Sequence, residues 1–253
     1  MKSQAEFSKS IIKNFNIAAE NYESSAFIQS KVASLLVKAC KHSSIEKGLW
    51  LDLGSGTGLL AKKLEDSFPR NKVIRIDASS NMLNQQPDDS KKILHDLNLG
   101  LPKLDRKPNL IASSFALHWL EKPEIRVKEW LSSLTKGGWL ALAYPIHGSF
   151  HEWQKAAHKA NVSFTAIDFP KVELIEQNFK KHSIKSNESY RFETEGDSLA
   201  SLLKPISTIG AQATKKNKLS IGEFRRLEKT WLEFRGNKPL KLTWLVQVLL
   251  IKK

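Results

Sequence analysis

The chemistry legible in this chain sits in one glycine-rich loop and three aspartates. The stretch WLDLGSGTGLL places glycines at 54, 56 and 58, with Asp52 two residues before the first. Glycine opens left-handed backbone geometry and lets a ligand approach the main chain. A loop between a strand and a helix also aims its amides, and the helix N-terminus, into the crevice beyond the strand end. Phosphate-loop chemistry needs G-x-x-x-x-G-K-[ST], and Gly58 is followed by Leu-Leu-Ala, which removes it. A dinucleotide loop prefers G-x-G-x-x-G, whereas the spacing here is G-x-G-x-G. Asp52 adds a sign to the ligand, because a carboxylate at this point repels a pyrophosphate and attracts a cation.

Two further acids extend the pattern. Asp77 closes the apolar run KVIRIDAS, where a carboxylate can accept both hydroxyls of a ribose. Asp96, in LHDL, can accept from the exocyclic amine of an adenine. Taken singly, these acids are helix caps and the glycines are turn residues. Taken together, three acids at three successive strand ends suit a cationic adenosyl ligand without phosphates, and S-adenosylmethionine (SAM) has that constitution.

The elements that must position these groups follow from the hydrophobic pattern. Residues 24–42 carry Phe27, Leu35, Leu36, Ala39 and Cys40 along a helical stripe. Strands are expected at 48–54, 72–79, 91–97, 108–116 and 139–145, with helices at 58–68, from Ser79 onward, and from Pro123. Strand–helix alternation of this kind predicts an α/β fold with a mostly parallel sheet and right-handed crossovers. After residue 145 the rhythm changes. Residues 150–183 and the segments 197–210 and 220–234 read as helical, 185–195 as a strand and 240–253 as a closing strand. The expected organisation is one domain overall: an N-terminal helical cover (1–47), an α/β core (48–147), a helical substrate-side insertion with a late strand (148–239) and a final sheet strand (240–253).

Composition bounds the partners. The chain has 253 residues, 40 Lys plus Arg against 26 Asp plus Glu, and a net charge of +14, an excess that favours acidic partners. Cys40 is the single cysteine, which excludes an internal disulfide and a zinc cluster; it reads as a small buried apolar residue, and no metal is expected. No apolar run approaches the ~20 residues of a membrane span. The N-terminus lacks the pattern of a signal peptide, so the expected location is cytoplasmic.

LDLGSGTG, RIDAS and HDL, in this order at these strand ends, resemble the Rossmann-like class I SAM-dependent methyltransferases. The resemblance implies a seven-stranded, mostly parallel sheet with a helical insertion after strand five. It implies that Gly54, Gly56 and Gly58 approach the methionine moiety, that Asp77 holds the ribose, and that Asp96 and Leu97 flank the adenine. Asp52, Ser55, Ala78, Met82 and Ser113 join them as expected cofactor residues, with Gln29 near the methionine end. Four blocks narrow the resemblance to the malonyl-[acyl-carrier protein] O-methyltransferases of the biotin pathway: FNIAAENYESSAFIQ (15–29), SSFALHWL with the stretch to GGWLALA (113–143), GSFHEWQKA (148–156) and LLKPISTIGAQAT (202–214). Relatives acting on quinone precursors or trans-aconitate share the first two. His118 stands where many relatives have glutamine, and Asn109 where aspartate is common.

The implied reaction is methyl transfer to the free carboxylate of a malonyl thioester, at the start of pimeloyl and biotin precursor synthesis. With a pKa of roughly 4 the acceptor is already ionised, so no general base is needed. The enzyme must align the reacting atoms, exclude water and pair the desolvated anion. Tyr22 is the first catalytic candidate, as a donor closing over the methyl group, and His118 the second. Trp119, Tyr144 and His147 are weaker candidates, and Lys204 and Arg191 are further candidates as cations for the carboxylate. His42 and His158 read as solvated. The implied partner is an acidic, malonyl-loaded acyl carrier protein or malonyl-coenzyme A, docking on the basic runs FKKHSIK, TKKNK and FRRLEK. The alternatives are a methyltransferase of another small acid or a quinone precursor, and an RNA-binding methyltransferase. For the last, the chain offers charge but no aromatic–basic RNA module.

Overall fold

Strand propensity and alternation resolve into one mixed sheet. The computed structural model describes residues 3–236 and 238–253; residues 1, 2 and 237, in the expected N-terminal cover and insertion, lie outside the described residues. The strands are β1 (Trp50–Leu53), β2 (Val73–Asp77), β3 (Lys92–Leu94), β4 (Leu110–Ser114), β5 (Trp139–Pro145), β6 (Ile184–Gly196) and β7 (Leu240–Lys252). Their order is β3-β2-β1-β4-β5-β7-β6. The first five are mutually parallel, and β7 runs antiparallel to both β5 and β6. The chain thus leaves β1 toward β2 on one side and later returns to β4 on the other, which opens the ligand crevice of a doubly wound sheet at the carboxyl ends of β1 and β4.

Ten helices accompany the sheet among the described residues: α1 (Gln4–Ala18), α2 (Tyr22–Ser25) and α3 (Phe27–Lys41) before β1; α4 (Leu59–Ser67), α5 (Ser80–Asn84) and α6 (Pro123–Ser133) as crossovers; and α7 (His151–Lys159), α8 (Val172–Glu176), α9 (Leu199–Thr208) and α10 (Ile221–Arg235) after β5. Their starts carry local signals. The Ser79 hydroxyl accepts from the Met82 amide to cap α5, Pro123 opens α6, and Ser220 with Glu223 forms a capping box on α10. The strands send alternate side chains to two cores. Trp50, Leu110, Ala112, Ala141 and Ala143 pack with α3, α4, α7 and α10, while Leu51, Leu53, Ile111, Leu140 and Leu142 pack with α6 and α8.

Three expectations are corrected. On α3, Leu36 and Cys40 are buried as expected, but Ile28 and Val32 complete the buried stripe, Leu35 and Ala39 are only partly buried, and Phe27 is 66% exposed with Lys31 over its ring. Residues 150–183 are not one helical stretch: α7 ends at Lys159, Asn161 just beyond it adopts φ 50°, and an irregular segment runs to Pro170. β3 is shorter than expected, because Asp96 turns the chain into a 3-10 turn, Leu97–Leu99.

A buried ion pair ties α4 to β2, the strand that ends in Asp77. Arg75 is 3% exposed and lies 2.8 Å from the Glu65 carboxylate, which also accepts from the Val73 amide at 2.9 Å. Removing one partner leaves a desolvated charge unpaired. Glu65→Ala is therefore expected to cost about 3 kcal/mol in urea denaturation. A loss below about 0.5 kcal/mol would show that Arg75 is solvated in this fold.

Candidate active site

The loop after β1 is fixed from three directions. The amides of Gly54 and Ser55 both donate to the Ile76 carbonyl at the end of β2, at 2.8 and 3.0 Å. A Cβ on Gly54, which has φ 70°, would fall 2.2 Å from the Ala116 methyl carbon, so only glycine fits. A Cβ on Gly56, at φ 54°, would meet nothing within 4 Å, and this residue borders the cleft. Beneath the loop lies Gln86, 3% exposed, whose side-chain amide donates to the Ser55 hydroxyl at 3.0 Å and the Gly56 carbonyl at 2.6 Å. Gln86 has no signal in the sequence, since a glutamine after a short helix reads as surface.

The three acids converge on this cleft. Asp52 is 1% exposed and accepts from the Ala61 amide at 3.1 Å, while its Oδ1 has no partner. Burial pushes its carboxyl up to about 7, against the opposing pull of the Ala61 amide and the Arg75 charge. Asp77 accepts from the Gly56 amide on one oxygen and the Ser79 amide on the other, both at 2.8 Å. Burial raises its carboxyl against the Ser79, Gly56 and Ala78 amides. Asp96 uses Oδ1 to accept from the Asn98 main-chain and side-chain amides.

Most of the expected cofactor residues line the cleft: Asp52, Gly54, Ser55 and Gly56 from the loop, Asp77, Ala78 and Met82 after β2, Asp96 and Leu97 after β3, and Gln29 from α3. Two do not. Gly58 packs against Gln86 as the N-cap of α4, and Ser113 is buried with its hydroxyl donating to the Leu53 carbonyl at 2.8 Å. Its neighbour Ser114 lines the cleft instead, because consecutive strand residues face opposite ways. The Oγ of Ser114 and Oγ1 of Thr57, both lining residues, are buried without a partner, as is Asp52 Oδ1.

A second cavity of about 670 Å³ adjoins the cleft and shares Phe15, Tyr22, Gln29, Phe115 and Trp119 with it. One wall is aromatic: the Phe150 and Trp244 rings meet at 4.4 Å and Phe150 and Phe169 at 5.3 Å. Phe115 and Phe150 adopt φ 57° and 62°, rare for bulky residues and imposed by the surrounding packing. His118 lines this cavity; burial lowers its imidazole to about 3, so it is neutral, and its Nδ1 has no partner. Burial and the nearby Asp77 charge push the Tyr22 hydroxyl up, which keeps it protonated as a donor. Among the described residues no Asp, Glu or Arg lines the cavity, and Lys204 and Lys218 are its cations. Of the weaker candidates, Tyr144 is fully buried within β5, His147 is exposed, and Arg191 pairs with Glu193 at 2.7 Å on the edge strand. Among the described residues no group of His, Cys, Asp and Glu could hold a metal ion.

Residues 51–142 match the family model described as a methyltransferase domain. The malonyl-[acyl-carrier protein] O-methyltransferase of Methylococcus capsulatus is 26% identical over 216 residues, covering 81% of this chain and 77% of that protein. This chain is a SAM-dependent methyltransferase. The biotin biosynthesis bifunctional protein BioHC of Teredinibacter turnerae is 26% identical to the methyltransferase over 247 residues, 88% of this chain but 43% of that longer protein. In fold, the methyltransferase matches the solved YcgJ protein of Bacillus subtilis with a TM-score of 0.59 at 13% identity, covering 88% of this chain and 98% of that one.

The cleft fits SAM as the cofactor. Asp52 Oδ1 calls for a cation, the Asp77 carboxylate lines the cleft as an acceptor, and Gly56 leaves the space a ligand needs. A cationic ligand binds the ionised form of Asp52. With its carboxyl near 7, binding below that pH must expel a proton, so affinity falls as pH falls, approaching tenfold per unit. The ligand-free fold shows the opposite trend: the unfolded chain ionises Asp52 more readily, so stability declines as pH rises from roughly 4 to 7. Calorimetric SAM affinity is expected to weaken from pH 7 to pH 5, and Asp52→Asn to bind more weakly with a flat profile. A wild-type profile that is flat would remove Asp52 from cation binding.

Proposed function

We propose that this methyltransferase esterifies the free carboxylate of a malonyl thioester carried on an acyl carrier protein, as an early step toward a biotin precursor. The observation that carries the proposal is the second cavity: aromatic, with no acid and only Lys204 and Lys218 as cations among its described lining residues, and joined to the cofactor cleft where Tyr22 and Gln29 stand. Such a lining rejects cationic acceptors such as amines and admits an anion. The names of its relatives from Methylococcus capsulatus and Teredinibacter turnerae point the same way.

When bound, SAM supplies a methyl group on a sulfonium. The residues of this chain then have three tasks. Tyr22, protonated, donates a hydrogen bond to the acceptor carboxylate, with the Gln29 amide beside it; this orients an oxygen without a general base, consistent with an acceptor already ionised at neutral pH. Phe115, Trp119 and His118 exclude water from the junction. Lys218, at the end of the basic run 214–218, places positive charge at the cavity beside an acidic carrier. The basic run 179–185 has no residue in the cavity lining and is not assigned to docking.

The test is incubation of the purified protein with SAM and malonyl-loaded carrier protein, followed by mass spectrometry of the acyl group. A methyl ester on the malonyl carboxylate is expected; transfer to a different small acid, with none to malonyl, would overturn the acceptor. Tyr22→Phe is expected to lower kcat by about 10- to 100-fold, the scale of one charge-assisted hydrogen bond, with SAM affinity changed by less than about threefold. An unchanged kcat would take the tyrosine out of the reaction.

A further inference from the structure

The cofactor cleft opens at the carboxyl ends of the parallel strands. At their amino ends lies another cavity, of about 1060 Å³, and no described residue lines both it and either space above. Seven cations and three acids line it. Arg75 and Glu65 cancel as the buried pair already described. The other cations, Lys47, Arg70, Lys72, Lys91, Lys103 and Arg106, are all exposed. None of their side chains has an ion pair or hydrogen bond among the described residues. Asp89 and Asp105, also exposed, are the acids left to face them. Helix C-termini draw cations into their last turn, but the last turn of α4 holds none, and the effect fades beyond it. The floor beneath this rim is polar. Asn71 is 8% exposed, and its side-chain amide neither donates nor accepts among the described residues. Arg75 commits Nη1 and Nη2 to Glu65 and leaves Nε without a partner. A buried carboxamide left unpaired carries a cost that a ligand can relieve.

The placement of these cations sets the shape of the anion. Lys47 stands just before β1, Lys72 before β2 and Lys91 before β3, and these three strands are neighbours. Adjacent strands lie ~4.8 Å apart, so the row spans about 10 Å. One phosphate group cannot meet all three positions, whereas a chain of phosphates can. Among the described residues no aromatic side chain lines the cavity, so a nucleic-acid base has no ring to stack on. Concavity and volume are those of a small-molecule site. We infer that this cavity binds a compact oligophosphate, with Asn71 donating from the floor and the exposed cations neutralising the chain. Arg70 and Arg106 supply planar forks that can hold phosphate oxygens in pairs, and the lysines supply mobile point charges. The site is separate from methyl transfer and does not depend on the acceptor assigned above.

Calorimetry on the full chain, with SAM at saturation to keep nucleotides out of the cofactor cleft, would compare tripolyphosphate, adenosine triphosphate and sulfate. At low salt tripolyphosphate is expected to bind about tenfold more tightly than sulfate, the sum of two or three exposed ion contacts. The gap should narrow in about 0.5 M salt as the screening length shortens. Adenosine triphosphate should match tripolyphosphate; tighter binding of the nucleotide would support the same site and name a nucleotide as its source. Arg70→Ala with Arg106→Ala should weaken tripolyphosphate about tenfold. Asn71→Ala should do the same, the scale of a hydrogen bond to a charged group. Lys180→Ala with Lys181→Ala removes equal charge from exposed positions beside β6, at the far sheet edge, and should change affinity by less than about twofold. SAM affinity reports that each variant has folded, and the wild-type comparison needs no variant. Equal wild-type affinity for tripolyphosphate and sulfate, an unchanged Asn71→Ala, or an equal loss in the control pair would overturn the inference. Binding of single-stranded RNA without binding of tripolyphosphate would overturn it in favour of nucleic acid.

Discussion

The Ile76 carbonyl, accepting from both Gly54 and Ser55, is the contact on which the site depends. It folds the loop after β1 across the end of β2 and so decides where every later group can lie. Gly54 is forced against Ala116 and must have no side chain. The Gly56 amide is brought onto the Asp77 carboxylate, which ties the loop to the end of β2. Gln86 then fills the space beneath, where its amide nitrogen bridges the Ser55 hydroxyl and the Gly56 carbonyl. The cleft is therefore built before a ligand arrives, and little ordering entropy is left for binding to overcome.

Two neighbouring spaces have opposite electrical character. The cofactor cleft is lined by three aspartates, and the adjoining cavity by none among the described residues. Desolvation works for each in a different way. It leaves Asp52 short of a partner, so that a cation entering the cleft relieves a cost already present in the fold. In the cavity it keeps His118 neutral and Tyr22 protonated, so neither introduces a charge near the junction. Aromatic packing maintains the partition. Phe115 stands at the border in a left-handed conformation, held by a hydrogen bond from its amide to the Ala143 carbonyl at 2.8 Å and by Trp244 at 5.8 Å. A relaxed backbone there would move the wall between the two spaces.

The cofactor half was legible because its signals are local. Glycine spacing, an acid at a strand end and strand–helix alternation are set by neighbours in sequence, and they pointed to the parallel part of the sheet and to the residues along the cleft. Errors arose where a one-residue phase matters. Ser113 and Ser114 share a composition but face opposite sides of β4, and only the sheet's register decides which one meets the cleft. Phe27 looked like part of the buried stripe of α3 with Leu36 and Cys40, yet the tertiary contact chose Ile28 and Val32 beside those two. The acceptor half was hard for a different reason. Phe15, Phe115, Phe150, Phe169, Lys204 and Trp244 come from six separate segments, and no spacing rule connects residues that meet only after folding.

The arrangement of donors also bears on turnover. The proposed esterification would discharge the acceptor: a carboxylate enters and a neutral ester leaves. Had the junction with the cofactor cleft held the carboxylate with a buried lysine or arginine, the pair would have damped the nucleophile, and after transfer the cation would have been stranded in an aromatic pocket at a cost of several kcal/mol. Tyr22 and Gln29 avoid both effects. In the proposed reaction their hydrogen bonds would orient the anion while leaving it without a full countercharge, and losing that partner would cost each only about 1–3 kcal/mol. Lys204 and Lys218 are instead exposed, where water can take over their charge when the product departs. Neutral donors inside and cations outside are the distribution that a reaction removing a charge from its own nucleophile requires.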